Sequence, residues 1–185
     1  MGRPPEHGRR ARTLAAATDY VLAHGMRELS LRPLAAAPGT STRMLLYDFG
    51  SKERLIAAIL AEIRRREASL LAEALRDALA SPAELIRGVW AWISAAEREP
   101  FLRLFFEVYV DALTHPDAYA DGGATMVTDW LDHFSAAFRA TAAGHRDVDV
   151  TLVIATVRGL LLDRLLTHDT QRTDTALEHF AASFE

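Results

Sequence analysis

The residues best suited to do chemistry lie between Leu29 and Leu55, in the run LSLRPLAAAPGTSTRMLLYDFGSKERL. Two short helices fit there, joined by a tight turn at Pro38-Gly39, and the second opens with Thr40, Ser41, Thr42 and Arg43. That is a helix-turn-helix layout, in which the second helix enters a DNA major groove about 12 Å wide while the first crosses the backbone. Small hydroxyls keep the entering helix slim.

No other group of residues makes a comparable argument. The sequence holds no G-x-S-x-G, no glycine-rich phosphate loop and no H-E-x-x-H, so nothing in it argues for an enzyme. Without cysteine there is no disulfide, thiolate nucleophile or cysteine-ligated metal. The seven histidines never fall at i, i+4. His133 with Asp129 and Asp132 comes nearest to a metal site, but this mix on one helix face reads as solvated; no metal and no cofactor is expected. Asp147 and Asp149 sit where a helix starts and complement its dipole.

Apolar residues recur at helical spacing along the chain and no stretch alternates with period two, which predicts an all-α protein. A first helix is expected from Arg9 to His24, stopped by Gly25. Ser30 caps a second of about two turns, ended by Pro38 and Gly39. Ser41 to Tyr47 form the third, with Leu45 inward and Thr42, Arg43 and Tyr47 outward. Ser51 then opens a long amphipathic helix with a stripe of Leu55, Ile56, Ile59, Leu60, Ile63, Leu70, Leu71, Leu75 and Leu79. Ser81-Pro82-Ala83-Glu84 is a capping box that starts another. Later helices are expected over 101–112, 125–143, 148–168 and 173–184, with turns at His115-Pro116, Asp121-Gly122-Gly123 and Gly144.

Charge divides the chain unevenly. Residues 1–66 hold 12 Arg/Lys against 6 Asp/Glu, and the remainder holds 9 against 19. A basic N-terminal third on an acidic body suits a phosphate contact at one end only. The N-terminus lacks the apolar stretch of a secretory signal, and the longest apolar run, Leu55 to Ala61, is far short of a membrane span, so a cytoplasmic protein with no membrane partner is expected.

The sequence resembles the TetR family of bacterial transcriptional regulators in its small-residue first helix with a trailing Gly25 and in LSLRPLA, TSTR and LLYDFGSKERL. The resemblance is close over residues 9–60 and rests only on length, helicity and acidity beyond them. It implies a three-helix DNA-binding domain at 1–50 and a helical ligand-binding and dimerisation domain at 51–185. Position by position, it implies a phosphate or groove contact for Arg32, base contacts for Thr40, Ser41, Thr42 and Arg43, and phosphate contacts for Tyr47 and Lys52. Two positions depart from the family's usual Leu-Tyr-x-His-Phe: tyrosine has moved by one place to Tyr47, and Asp48 stands where histidine is usual. A carboxylate facing phosphates weakens binding unless Lys52 or Arg54 pairs with it. Arg3, Arg9, Arg10 and Arg12 form either an arm along the minor groove or a solubilising tail, and Arg64, Arg65 and Arg66 read as a solvated helix face.

In the body, Trp90, Ile93, Phe105, Tyr109, Trp130 and Phe134 lie on helices that the resemblance places around a small hydrophobic effector; core packing is the alternative for each. The segment 150–166 is apolar over more than one face, and Gly159 costs roughly 1 kcal/mol against alanine in a helix interior, which suits a second backbone approaching there. A homodimer contacting through this helix and that of 125–143 follows. Its two-fold axis sets two recognition helices about 34 Å apart, on a palindromic operator in double-stranded DNA. The function expected is a ligand-released transcriptional repressor. The alternative, motivated by Leu46 and Asp48, is a helical small-molecule-binding or interaction module with weakened DNA binding.

Overall fold

The computed structural model describes residues 6–26, 29–74, 81–119, 125–140 and 148–185. Arg3, Leu75, Leu79, the turns at 121–123 and Gly144, Asp147 and the side chain of Asp129 lie outside the described residues. Everything described is helix, turn or short connection. The helices are α1 (Glu6–His24), α2 (Leu31–Ala36), α3 (Thr42–Phe49), α4 (Lys52–Ala74), α5 (Pro82–Ile93), α6 (Glu99–Thr114), α7 (Thr125–Ala140), α8 (Val150–Thr167) and α9 (Thr170–Ala182). Single 3-10 turns occupy Ala96–Arg98 and Pro116–Tyr119. No described helix is long and apolar enough to cross a membrane.

The chain forms two compact units, residues 1–67 with 103–120, and residues 68–102 with 121–185. In the first, α1 packs on α2 and α2 on α3. Val21, Leu34, Leu45, Phe49, Leu55, Ile59 and Ile63 are among the apolar side chains buried there. The α4 residues among them recur every fourth position, so one stripe of that helix faces inward. Leu71 continues it. Leu70, expected in the same stripe, is instead exposed, because 71 and not 70 completes the i, i+4 series from Leu55.

Start signals worked through side-chain oxygens. Ser41 Oγ accepts from Met44 N at 3.2 Å and Ser81 Oγ from Glu84 N at 3.2 Å. Asp149 Oδ1 accepts from Leu152 N at 3.1 Å. Each satisfies one of the donors that a helix start leaves without an intrahelical partner. Ser30 holds the cap position of α2, yet its hydroxyl makes no capping bond. After α1, Gly25 turns the chain at φ +76°, a region that favours glycine. A Cβ there would come within 2.9 Å of Glu107 Oε2, and the same carboxylate accepts from Met26 N at 2.9 Å. Glu107 thereby holds α6 to the turn that ends α1.

The three arginines at 64–66 are not all a solvated face. Arg66 reaches Asp19 on α1 at 2.6 Å and Glu62 at 2.8 Å, and Arg65 adds a bond to Glu62 at 2.9 Å. The Arg65 and Arg66 guanidiniums hold the Glu62 carboxyl down to about 2 from its ordinary 4.5. A depressed folded value means the pair stabilises the fold fully above about 4.5 and loses that contribution as pH falls through about 2. The variant Glu62→Gln is therefore expected to melt below wild type at neutral pH, with the difference shrinking as pH drops through that window. Thermal melts at a series of pH values check this, and a constant difference would contradict it.

In the second unit α5 packs on α9 and α7, and α8 packs on α7 and α9. Arg87 on α5 pairs with Glu178 and Glu185 at 2.5 and 2.8 Å. Arg164 on α8 pairs with Asp174 on α9 at 2.7 Å, and the Trp90 indole N–H donates to the same carboxylate at 2.7 Å. This joins α5, α8 and α9 at one carboxylate.

Candidate nucleic-acid interface

α3 has eight residues, and its faces are sharply divided. Leu45 and Phe49 are buried, whereas Thr42, Arg43, Leu46 and Tyr47 are exposed, Tyr47 by 72%. Positions 42, 43, 46 and 47 share one side of a helix at 3.6 residues per turn. A hydroxyl, a guanidinium and a phenol therefore project together, with no carboxylate among them. Ser41 caps the helix, Thr40 precedes it half-buried, and its amide donates back to Ala35 O at 2.8 Å, closing the turn between α2 and α3. Gly39, at φ +68°, makes that turn possible. Arg32, in the first turn of α2, is exposed.

Lys52 is the first residue of α4, directly after Ser51, whose hydroxyl accepts from Arg54 N at 3.2 Å. The Glu53 carboxyl is held below its ordinary value, first by the free backbone N–H at this helix start and then by the Ser51 hydroxyl. The positive end of the α4 dipole lies beside Lys52.

Asp48 departs from expectation in an informative way. Its side chain is only 7% exposed and does not face outward with Tyr47; it turns toward α1, where Arg9 Nη2 lies 2.6 Å from Oδ1. Its partner is thus neither Lys52 nor Arg54. Arg10 Nε donates to the Asp48 carbonyl at 3.1 Å, and its guanidinium sits 4.7 Å from the centre of the Phe49 ring. Arg9, Arg10 and Arg12 belong to helix α1 rather than to an arm or a tail. Sequence reasoning missed Arg9 and Arg10 as partners of Asp48 because they stand 39 and 38 positions away, beyond any local pattern.

The six effector candidates divide between the units. Phe105 and Tyr109 fall in the first, one helical turn apart on α6, with ring centroids 5.9 Å apart. Trp90, Ile93, Trp130 and Phe134 fall in the second. Trp130 and Phe134 stack at 5.9 Å. Trp90, Ile93 and Phe134 are buried, and the Trp90 N–H is already bonded to Asp174, with the Arg164 guanidinium 5.6 Å from its ring centre. Among the described residues no three His, Asp or Glu gather as they would around a metal ion.

The α8 helix has two apolar faces. Val153, Ile154, Val157 and Leu161 are buried, while Leu152, Ala155, Gly159, Leu162 and Leu166 are exposed, Leu166 by 81%. The exposed set steps by three, four, three and four, the spacing of a helix-pairing seam. A Cβ on Gly159 would meet nothing within 4 Å in this chain.

An all-α chain whose N-terminal helices present a capped, acid-free polar helix face has the form of a helix-turn-helix protein. Solved structures agree over nearly the whole length. A Rhodococcus sp. protein assigned to the TetR-family transcriptional regulators is 22% identical, with 96% of this chain and 98% of that one covered at a TM-score of 0.71. The multidrug binding protein EbrR, complexed with proflavin, is 25% identical over 92% of this chain and 98% of its own, at 0.66. GusR of Salmonella enterica is 22% identical over 97% and 96%, at 0.66. No family model and no curated protein matches the sequence. The fold of this chain is that of the TetR-family transcriptional regulators.

Proposed function

We propose that the protein is a transcriptional regulator that binds a palindromic operator as a homodimer and is released from it by a small hydrophobic effector. The observation that carries this reading is the outward face of α3, where Thr42, Arg43 and Tyr47 project from a capped helix and the carboxylate of that helix, Asp48, is turned away and paired. On this reading Thr40, Ser41, Thr42 and Arg43 meet bases, Tyr47 and Lys52 meet phosphates, and Arg32 meets a phosphate or the groove. Residues 1–50 are the reading head and 51–185 the body. The exposed Leu152, Leu162 and Leu166 seam supports α8 as the dimer contact, with a neighbouring helix of each chain completing a four-helix interface. Selection of duplex DNA from a random pool tests the proposal: an enriched palindrome is the expected result.

The effector reading draws on the aromatic side chains of α5, α6 and α7, and on EbrR, a fold neighbour complexed with proflavin. An effector releases DNA only through its preference for the DNA-incompetent state. Moving the protein from mostly bound to mostly free takes about 5 kcal/mol of such preference. Tight binding to both states alike does nothing.

A further inference from the structure

Three contacts from one turn of α1 converge on the last turn of α3. Arg9 reaches the Asp48 carboxylate at 2.6 Å, Arg10 donates to the Asp48 carbonyl at 3.1 Å, and the Arg10 guanidinium covers the Phe49 ring at 4.7 Å. We propose that the Arg9–Asp48 pair, with Arg10 beside it, is a clamp that sets the rotation of α3 about its own axis, and with it the register in which Thr42, Arg43 and Tyr47 meet base pairs. The consequence for base reading rests on the function proposed above; the clamp itself does not.

α3 has eight residues, too few to hold an orientation without tertiary support. Its buried knobs are Leu45 and Phe49, one above the other on a single side. A helix gripped along one line can still rock about that line. Asp48 lies roughly 100° around the helix from Phe49, so a bond there supplies the missing lateral restraint. Arg10 adds a donor to a carbonyl at the helix end, where intrahelical partners run out and a cation is favoured by the dipole.

The pair is also buried enough to matter. The Asp48 side chain is 7% exposed and that of Arg9 33%, and Arg9 Nε is buried without a hydrogen-bond partner. The carboxylate is therefore what compensates for holding the guanidinium in that place, and neither charge sits comfortably alone. Asp48 and Arg9 act here as positioning residues: they touch no base, and they act through Arg43 and Tyr47, which lie about 140° and about 100° around the helix from Asp48.

The test compares wild type with Asp48→Asn, Arg9→Met and the exchange Arg9→Asp/Asp48→Arg, each shown to be folded by circular dichroism at the working temperature. Two readouts are taken: affinity for the duplex that wild type selects, at two salt concentrations, and amide hydrogen exchange of the peptide spanning 42–50. Each single variant is expected to lose about tenfold or more in affinity, the scale of one disturbed base contact. Its α3 amides should exchange faster, and the charge exchange should recover most of both. Asp48→Asn should leave the salt dependence unchanged, since no phosphate contact is removed. Wild-type affinity together with wild-type exchange in Asp48→Asn would overturn the clamp. If wild type selects no sequence, the DNA-reading function falls, and exchange decides the clamp: faster exchange restored by the swap supports it, unchanged exchange overturns it.

Discussion

Replacing Arg43 by alanine should weaken binding to the selected operator by about 1–3 kcal/mol per half-site, and so by about 2–6 kcal/mol for a dimer reading both. Arg43 is exposed in the first turn of α3, where its guanidinium can meet a base edge, and it is not needed for the fold. The melting temperature should stay at the wild-type value, because no core contact is lost. The signature that separates base reading from simple charge loss is selectivity. Arg43→Ala should tolerate substitution at one base pair per half-site, whereas Lys52→Ala should weaken all sequences alike and reduce the salt slope by about one phosphate contact. Equilibrium titration of single-base operator variants checks both. Uniform weakening by Arg43→Ala would assign that side chain to a phosphate instead.

Leu162→Glu is the second change with a large expected effect. Leu162 stands on the exposed seam of α8, between Gly159 and Leu166, and its removal from the monomer costs little because it is already 53% exposed. In a dimer the same position is buried against a partner, and a carboxylate there, facing its symmetry mate, is strongly unfavourable. The variant should run as a monomer in sedimentation while keeping its helicity. Operator affinity should then fall by about 10²–10⁴-fold, the gain that linking two heads provides. A Leu162→Glu protein that sediments as a dimer would remove α8 from the interface.

What was legible in the sequence was whatever depends on near neighbours. The caps at Ser51 and Ser81 were visible because a capping side chain acts within three residues of itself, whereas Ser41 and Asp149 were legible only as residues at a helix start. The inward Leu45 and the outward Thr42, Arg43 and Tyr47 followed from helical periodicity alone. So did the two apolar faces of α8. The helix over 173–184 was placed too late by three residues, since Asp169, not Thr173, accepts the first amide bond. Ser30 illustrates the limit of a residue type as a signal: it holds the cap position without making the bond.

The rest needed the fold. Asp48 read as an exposed liability because sequence spacing gives a face but not the neighbour on that face, and Arg9 comes from another helix. Arg66 read as solvated for the same reason, until Asp19 on α1 came within 2.6 Å. The candidate effector residues, five aromatic side chains and Ile93, rest on the helices that carry them, and neither residue type nor helix distinguishes a pocket wall from packing. Trp90 shows the difficulty, since its polar edge is taken up by Asp174. Glu107, which holds the turn at Gly25 and Met26, carried no signal in the sequence, because an acid on an amphipathic helix ordinarily faces solvent.

The measurement closest to the central claim is selection of random duplex DNA by the purified protein, followed by titration of the enriched sequence at two salt concentrations. The account predicts an inverted repeat whose half-site centres lie about one helical turn apart, or a multiple of it, bound with an affinity that falls as salt rises. Salt-sensitive binding with no enriched sequence, or no binding at low salt by protein that mass spectrometry shows to be free of small molecules, would contradict it.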